Sequence, residues 1–324
     1  MITRKEKLWW VFYGAVLVLL FLLSSTDLII KERKTEVYPL SVVIDDTSDD
    51  HYVNFRKGMD RAAIELNADV SFITLYEENN QDQQLEMMAR EQQDGARALI
   101  VAPVEETAVE DVLVEKRVTV PLVLVNSELP LDKISAVVTT DYYEMGQKLA
   151  QQVINKYASE VPVYLFAGAR ENTVTRRFGD GVQTTLSEAG FQTTLFQRQG
   201  EGTFRKAVEE LVYPGSRTVV VVALDQGSLA ETAAILADST VYSSYVLGLY
   251  GRGTTIPILN YLDRGVISGI CVTDDFSAGY LSVKRAVEAV TNQIWEEQTV
   301  LDSYYIEKAD LRKEQYEKML YPIE

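Results

Sequence analysis

The residues of this chain that could do chemistry gather in a few short loops. Asp45, Asp46, Asp49, Asp50 and His51 crowd one of them. Carboxylates beside an imidazole suit hard or borderline cations. Their spacing, however, matches neither a calcium loop nor a zinc motif. The plainer reading is a solvated loop whose aspartates cap the next helix. No metal and no cofactor are expected. Asn126 follows an apolar run, and its amide can both donate and accept. Asp225 and Gln226 follow another; Asp225 reads as a hydroxyl acceptor or as a helix N-cap. Asp274 and Asp275 are a carboxylate pair of the kind glycosidases use, but neighbours on a strand point to opposite faces. His51 is the single histidine, so no Ser-His-Asp or Cys-His set can be assembled. Gly248-Leu249-Tyr250-Gly251-Arg252-Gly253 fits neither phosphate-loop pattern and reads as a flexible turn. The chain therefore does not read as an enzyme.

The elements that must hold these loops alternate. Short apolar β-branched runs at Ser41–Ile44, Val70–Leu75, Ala98–Ala102 and Pro121–Val125 are separated by helical spacing over Tyr52–Leu66, Asp82–Gln93 and Glu105–Glu115. The pattern then restarts. Strands are expected at Val161–Phe166, Phe191–Phe196, Thr218–Leu224, Tyr245–Leu249, Val266–Val272 and Ser303–Ile306. Helices are expected at Tyr143–Tyr157, Thr175–Ala189, Thr203–Leu211, Ser228–Ala237, Ile256–Leu262 and Phe276–Thr291. Near-continuous apolar strands alternating with helices predict parallel sheets covered on both faces. Two rounds of the pattern predict two similar α/β lobes.

Composition narrows the function. The chain has 324 residues and a formal net charge of −17, the reverse of what phosphate binding needs, so nucleic acid is excluded as a partner. Cys271 is the single cysteine and can form no intrachain disulfide. Near the N-terminus, Arg4, Lys5 and Lys7 precede an uncharged stretch from Leu8 to Thr26, long enough to cross a bilayer. Trp9, Trp10 and Tyr13 stand at its start, where interfacial aromatics belong. A cleaved signal peptide is the competing reading, but Ser24-Ser25-Thr26 is a poor cleavage site. The expectation is a single-pass anchor; Lys31, Arg33 and Lys34 nearly balance the charges before it, and the extracytoplasmic placement of the bulk of the chain is what the family resemblance below implies.

Several local patterns, taken in order, resemble one family. They are Asp49-Asp50-His51-Tyr52-Val53 with Lys57-Gly58, Asp94-Gly95 through Val101-Ala102-Pro103, and Val120 through Asn126. Thr140-Asp141-Tyr142 with Gly146, Gly181 with Ala189-Gly190, Asp225-Gln226, and Leu262-Asp263-Arg264-Gly265 with Gly279 complete the series. Over about Leu40 to Ile306 the chain resembles the type I periplasmic binding proteins, the ribose and galactose binders and the core of the lactose-repressor family. That resemblance implies two lobes joined by three crossovers, near Val137–Asp141, Val272–Asp274 and Gln298–Asp302. It divides the chain into an anchor (1–30), a linker (31–38), a first lobe (39–137 plus 273–298), a second lobe (138–272 plus 299–312) and a tail (313–324). Ligand would sit between the lobes, and closure would be read by a partner.

The resemblance also nominates site residues. His51 and Tyr52 stand where ring-stacking aromatics are found, although Tyr52 serves equally as the first core residue of its helix. Asn126 replaces an aspartate that accepts sugar hydroxyls, and Asp225 is a second acceptor. The sugar-clamping arginine falls on Phe178, with Arg177 one position away. Tyr250 replaces a turn aspartate, and Thr273 a hinge glutamine. The implied ligand is a sugar or sugar-like molecule in a pocket less charged and more aromatic than usual. The implied partner is an ABC-type importer. The alternatives are a receptor domain signalling to a membrane histidine kinase, or a lobe pair that has lost its solute.

Overall fold

The computed structural model describes residues 4–25, 36–77, 80–115, 117–127, 129, 134–168, 172–198, 203–212, 217–291 and 297–321. The chain divides into two units, Met1–Val37 and Tyr38–Glu324. In the first, α1 (Arg4–Ser25) carries the apolar stretch, and 4–23 has a mean hydropathy of 1.8 with none of it buried. By length and composition it can cross a membrane. Residues 26–35, with the end of the expected anchor and most of the linker, lie outside the described residues.

The second unit holds two sheets of six strands. Its elements begin β1 (Tyr38–Val43), α2 (Val53–Leu66), β2 (Ala68–Ile73), α3 (Gln81–Gln93), β3 (Ala98–Val101), α4 (Glu106–Val114), β4 (Leu122–Val125) and β5 (Ala136–Thr140). They continue α5 (Tyr142–Lys156), β6 (Val163–Ala167), α6 (Thr173–Glu188), β7 (Thr193–Gln197), α7 (Arg205–Val212), β8 (Val219–Ala223), α8 (Gln226–Asp238) and α9 (Thr240–Tyr245). The last are β9 (Val246–Arg252), α10 (Ile256–Asp263), β10 (Gly269–Thr273), α11 (Asp275–Val290), β11 (Glu297–Leu301), β12 (Ser303–Ile306) and α12 (Glu314–Leu320).

The first sheet runs β11-β5-β4-β3-β1-β2 and the second β12-β10-β9-β8-β6-β7. Every pairing is parallel except β12 on β10. Burial follows position. The central strands β3, β4 and β8 are buried at every residue, whereas the edge strand β2 is only half-buried or exposed along its length. Apolar clusters lie on both faces of each sheet, which gives two three-layer lobes. The chain crosses between lobes at Asp141, Asp274 and Asp302, because β5 and β11 belong to the first sheet and β10 and β12 to the second.

Two helix pairs flank these crossovers. In the first lobe α2 crosses α11 through Gly58 and Gly279. A Cβ on Gly58 would collide with the Phe276 carbonyl, and one on Gly279 with that of Phe55. In the second lobe α5 crosses α6 through Gly146 and Gly181, against the carbonyls of Phe178 and Tyr143. Four of the glycines that carried the family resemblance are thus the points where two helix backbones touch.

One expected element is corrected. Gly248 to Gly253 is not a flexible turn, since β9 runs through it to Arg252. Gly251 is glycine because a Cβ there would press on the Ala223 carbonyl and the Leu229 side chain.

Candidate functional site

Parallel strands deliver their carboxyl ends to one side of each lobe, and a cavity of about 630 Å³ lies there. Its wall is built from residues at or just past strand ends: Asp45 after β1, Asn126 after β4, Thr140 of β5, Gly168 after β6, Arg198 after β7, Asp225 after β8, Arg252 of β9 and Thr273 of β10. The volume falls in the usual range of small-molecule sites.

Of the residues nominated from sequence, five line this cavity: His51, Tyr52, Asn126, Asp225 and Thr273. The His51 imidazole Nδ1 meets the Asp46 carboxylate at 2.8 Å. The Tyr52 hydroxyl donates to Asp45 at 2.7 Å, while its ring packs edge-on against Phe55 and Phe72. Tyr52 thus serves the core with its ring and the cavity with its oxygen. Asn126 adopts a left-handed backbone (φ 56°) and accepts a bond from the Tyr142 hydroxyl at 2.8 Å. Asp225 accepts from the backbone N–H groups of Gly168 and Ser228, at 2.8 and 2.7 Å, and from the Ser228 hydroxyl at 2.6 Å. Three of its roughly four acceptor positions are thereby occupied, so its first role is to cap α8 and hold the loop after β6. Thr273 donates to Asp275 at 2.7 Å.

The other three do not line it. Phe178 is buried in the core of the second lobe. Arg177, the residue before it on α6, stands over the Tyr143 ring instead. Tyr250 is fully buried, with its hydroxyl on that of Tyr157 at 3.0 Å. The reason is the extent of β9: the strand ends three residues later than expected, and Arg252 reaches the cavity in place of Tyr250. The Arg252 guanidinium is fixed from behind, donating from Nε to the Leu224 carbonyl at 2.9 Å and from Nη2 to the Thr175 hydroxyl at 3.2 Å. Its centre lies 5.9 Å over the rings of both Phe178 and Tyr142. On this wall the cation over the Phe178 ring comes from β9 and not from α6. Among the described residues Arg252 makes no ion pair, whereas Arg198, also on the wall, is paired with Glu231 at 3.0 Å.

Two carboxylates complete the site. Asp275, the first residue of α11, accepts from Thr273 and, at 2.9 Å, from the Thr254 hydroxyl. Burial pushes its carboxyl up, against those two bonds. Asp45 is likewise raised by burial, against the bond from Tyr52. Asp45 also accepts from Asn172, the N-cap of α6, at 3.3 Å, a direct link between lobes. Asp274 turns away and caps α11 through Ser277, so the Asp274-Asp275 pair is split by the start of a helix and not by strand alternation, since β10 ends at Thr273. Among the described residues no group of histidine, cysteine and carboxylate side chains could hold a metal.

The His51–Asp46 pair gives the rim of the cavity a pH dependence. The bond to Asp46 raises the imidazole above its ordinary 6.5, against burial. Burial works to raise Asp46, but His51 outweighs it and holds that carboxyl below 3.8. A raised histidine stabilises fully below its unfolded pKa and loses this as pH climbs through the folded value. The depressed Asp46 loses its contribution as pH falls through its own folded value. Wild-type protein should therefore melt above His51→Asn near pH 6, and the gap should narrow by about pH 8.5. A constant gap in thermal melts across that range would contradict the pairing.

A family described as a periplasmic binding protein domain matches residues 40–294. No curated protein matches the chain in sequence. Among solved structures, a carbohydrate transporter solute-binding protein from Agrobacterium radiobacter, in complex with D-arabinose, has a TM-score of 0.75 at 16% identity, covering 87% of this chain and 98% of that one. An ABC transporter solute-binding protein from Bacillus halodurans with bound myo-inositol has the same TM-score at 18% identity, covering 89% and 99%. A chain of the TorS sensor domain–TorT complex, solved without ligand, also reaches 0.75 at 18% identity, covering 88% and 98%.

Proposed function

Because the chain belongs to the periplasmic binding protein domain family, we propose that it binds a sugar or sugar-like polyol between its lobes and presents the closed form to an ABC-type importer. The observation that carries this reading is the cavity wall. Asp45, Asp275 and Asn126 offer acceptors, Arg252 offers donors left unused among the described residues, and Tyr142 adds a ring to the wall. Hydroxyls arrayed around a ring need such a mixture of donors and acceptors on several sides. The sugar and inositol ligands of the two solute-binding neighbours support the same class.

In this reading α1 stays attached and anchors the extracytoplasmic part as a single-pass protein. Tethering raises the effective concentration of the binding unit beside a membrane partner. The same tether suits a second reading, a sensor for a membrane histidine kinase, which the likeness to the TorS–TorT chain favours. Intact mass of the mature protein tests the anchor: a chain lacking its first 25 or so residues excludes it.

The binding claim is tested by a thermal-shift screen of the full chain in detergent against pentoses, hexoses, inositols and nucleosides. Ligand at 100 times its Kd adds about 2.7 kcal/mol, a rise of several degrees for a protein of this size. A rise confined to polyhydroxylated compounds is expected. A flat response to every sugar and polyol would sink the proposal.

A further inference from the structure

Two polar groups of the cavity wall, one from each lobe, converge on the same side chain. Asn126 follows β4 of the first sheet, and Arg252 is the last residue of β9 in the second. Tyr142, also on the wall, is the first residue of α5, one position past the crossover at Asp141. Its hydroxyl donates to Asn126 Oδ1 at 2.8 Å. Its ring centre lies 5.9 Å from the guanidinium carbon of Arg252. Burial pushes the phenol well above its ordinary 10.0, so the hydroxyl keeps its proton and stays a donor.

These contacts decide what the two groups can show a ligand. The Asn126 backbone is pinned, because its N–H donates to the Val138 carbonyl of β5 at 2.9 Å. A side-chain amide can present either oxygen or nitrogen to a cavity, and the two ends ask opposite things of a ligand. With Oδ1 engaged by Tyr142, the oxygen keeps one acceptor position and the nitrogen keeps both donors, unpartnered among the described residues. Arg252 likewise keeps Nη1, since Nε goes to the Leu224 carbonyl and Nη2 to the Thr175 hydroxyl. The ring beside its guanidinium attracts the cation and limits its swing. We propose that Tyr142 is a positioning residue for ligand binding: its hydroxyl turns the Asn126 N–H groups toward the cavity while its ring steadies Arg252, so both lobes meet the ligand with donors fixed in advance. This role presupposes that a sugar or polyol fills the cavity, as proposed above.

Titration calorimetry on the full chain in detergent tests it. The probe is the tightest binder among the pentoses, hexoses and inositols of the thermal-shift screen, D-arabinose and myo-inositol included. Tyr142→Phe keeps the ring and should weaken binding about threefold to tenfold, the effect of one net hydrogen bond. Tyr142→Leu removes the ring as well and should weaken it further; should that variant fail to fold, the phenylalanine comparison decides alone. In an Asn126→Ala background, Tyr142→Phe should change affinity by less than about twofold, because no amide is left to orient. A hydroxyl that only holds the fold together would weaken binding equally in both backgrounds. That result, or unchanged affinity in Tyr142→Phe, would overturn the positioning role and leave the sugar or polyol ligand standing. If no sugar or polyol binds the wild-type chain, the proposed ligand class falls and the role of Tyr142 falls with it.

Discussion

Replacing Arg252 by methionine should abolish the ligand-induced rise in melting temperature while leaving the ligand-free protein folded. Arg252 is held from behind by the Leu224 carbonyl and the Thr175 hydroxyl. Its orientation is thus set before ligand arrives, and little ordering cost remains to be met on binding. Hydrogen bonds from a charged donor contribute about 1.5–3 kcal/mol each. Loss of one such bond should weaken the ligand's Kd by about 10- to 150-fold, and loss of two by about 150-fold or more. Methionine keeps a flexible apolar side chain over Phe178 and Tyr142, so packing is disturbed less than by alanine. Arg252→Lys keeps the charge and loses the planar fork, and should fall between wild type and methionine. Titration calorimetry with the best ligand of the screen reads all three. Equal affinity in the three proteins would remove Arg252 from the site and leave Asp45, Asp275 and Asn126 to account for binding.

That residue shows where the sequence stopped being legible. The lobes were readable because buried parallel strands are apolar at every position. Ala98–Val101, Leu122–Val125 and Val219–Ala223 leave no other assignment once helices separate them. Asn126 and Asp225 were readable because a polar residue directly after such a run marks a strand's carboxyl end. Arg252 was hidden by the glycines around it. Gly248 and Gly251 looked like turn residues, yet in β9 they answer a packing demand. Gly248 lies under the Tyr157 hydroxyl and the Tyr250 ring, and Gly251 against the Ala223 carbonyl. Periodicity cannot distinguish a glycine that turns the chain from one that lets a neighbour approach. Asp275 was hidden differently. It was visible as half of a pair, but only the start of α11 decides which half faces the cavity. The tail was lost because its burial depends on Leu311, Met319 and Leu320 fitting a core made by residues from Phe166 to Ile306.

A single methyl group at Gly58 should cost more than the loss of any one ligand contact. Alanine is the better helix former by about 1 kcal/mol, so on an isolated helix Gly58→Ala would stabilise. Here the added Cβ would fall on the Phe276 carbonyl of α11, a backbone atom that cannot rotate away. The two helices must separate, and overpacking of this kind costs about 3 kcal/mol or somewhat more. For a chain of this length that is a fall in Tm of roughly 5 °C. Ala63→Gly, on a half-buried face of the same helix, removes only propensity and should cost about 1 kcal/mol. Gly181→Ala should repeat the large effect in the second lobe, where the Cβ meets the Tyr143 carbonyl. The damage should also reach the cavity. Tyr52 precedes α2, α11 begins at Asp275, α5 begins at Tyr142, and Asn172 caps α6. Both glycine-paired crossings therefore have their amino ends in the cavity wall, and the spacing between the helices sets the spacing between those four side chains. Thermal melts of the full chain in detergent, with and without ligand, separate the two consequences. Gly58→Ala should lower the ligand-free Tm and also shrink the ligand shift, whereas Ala63→Gly should lower the first slightly and leave the second intact. Equal behaviour of the two variants would mean that the crossing tolerates expansion and does not position the site.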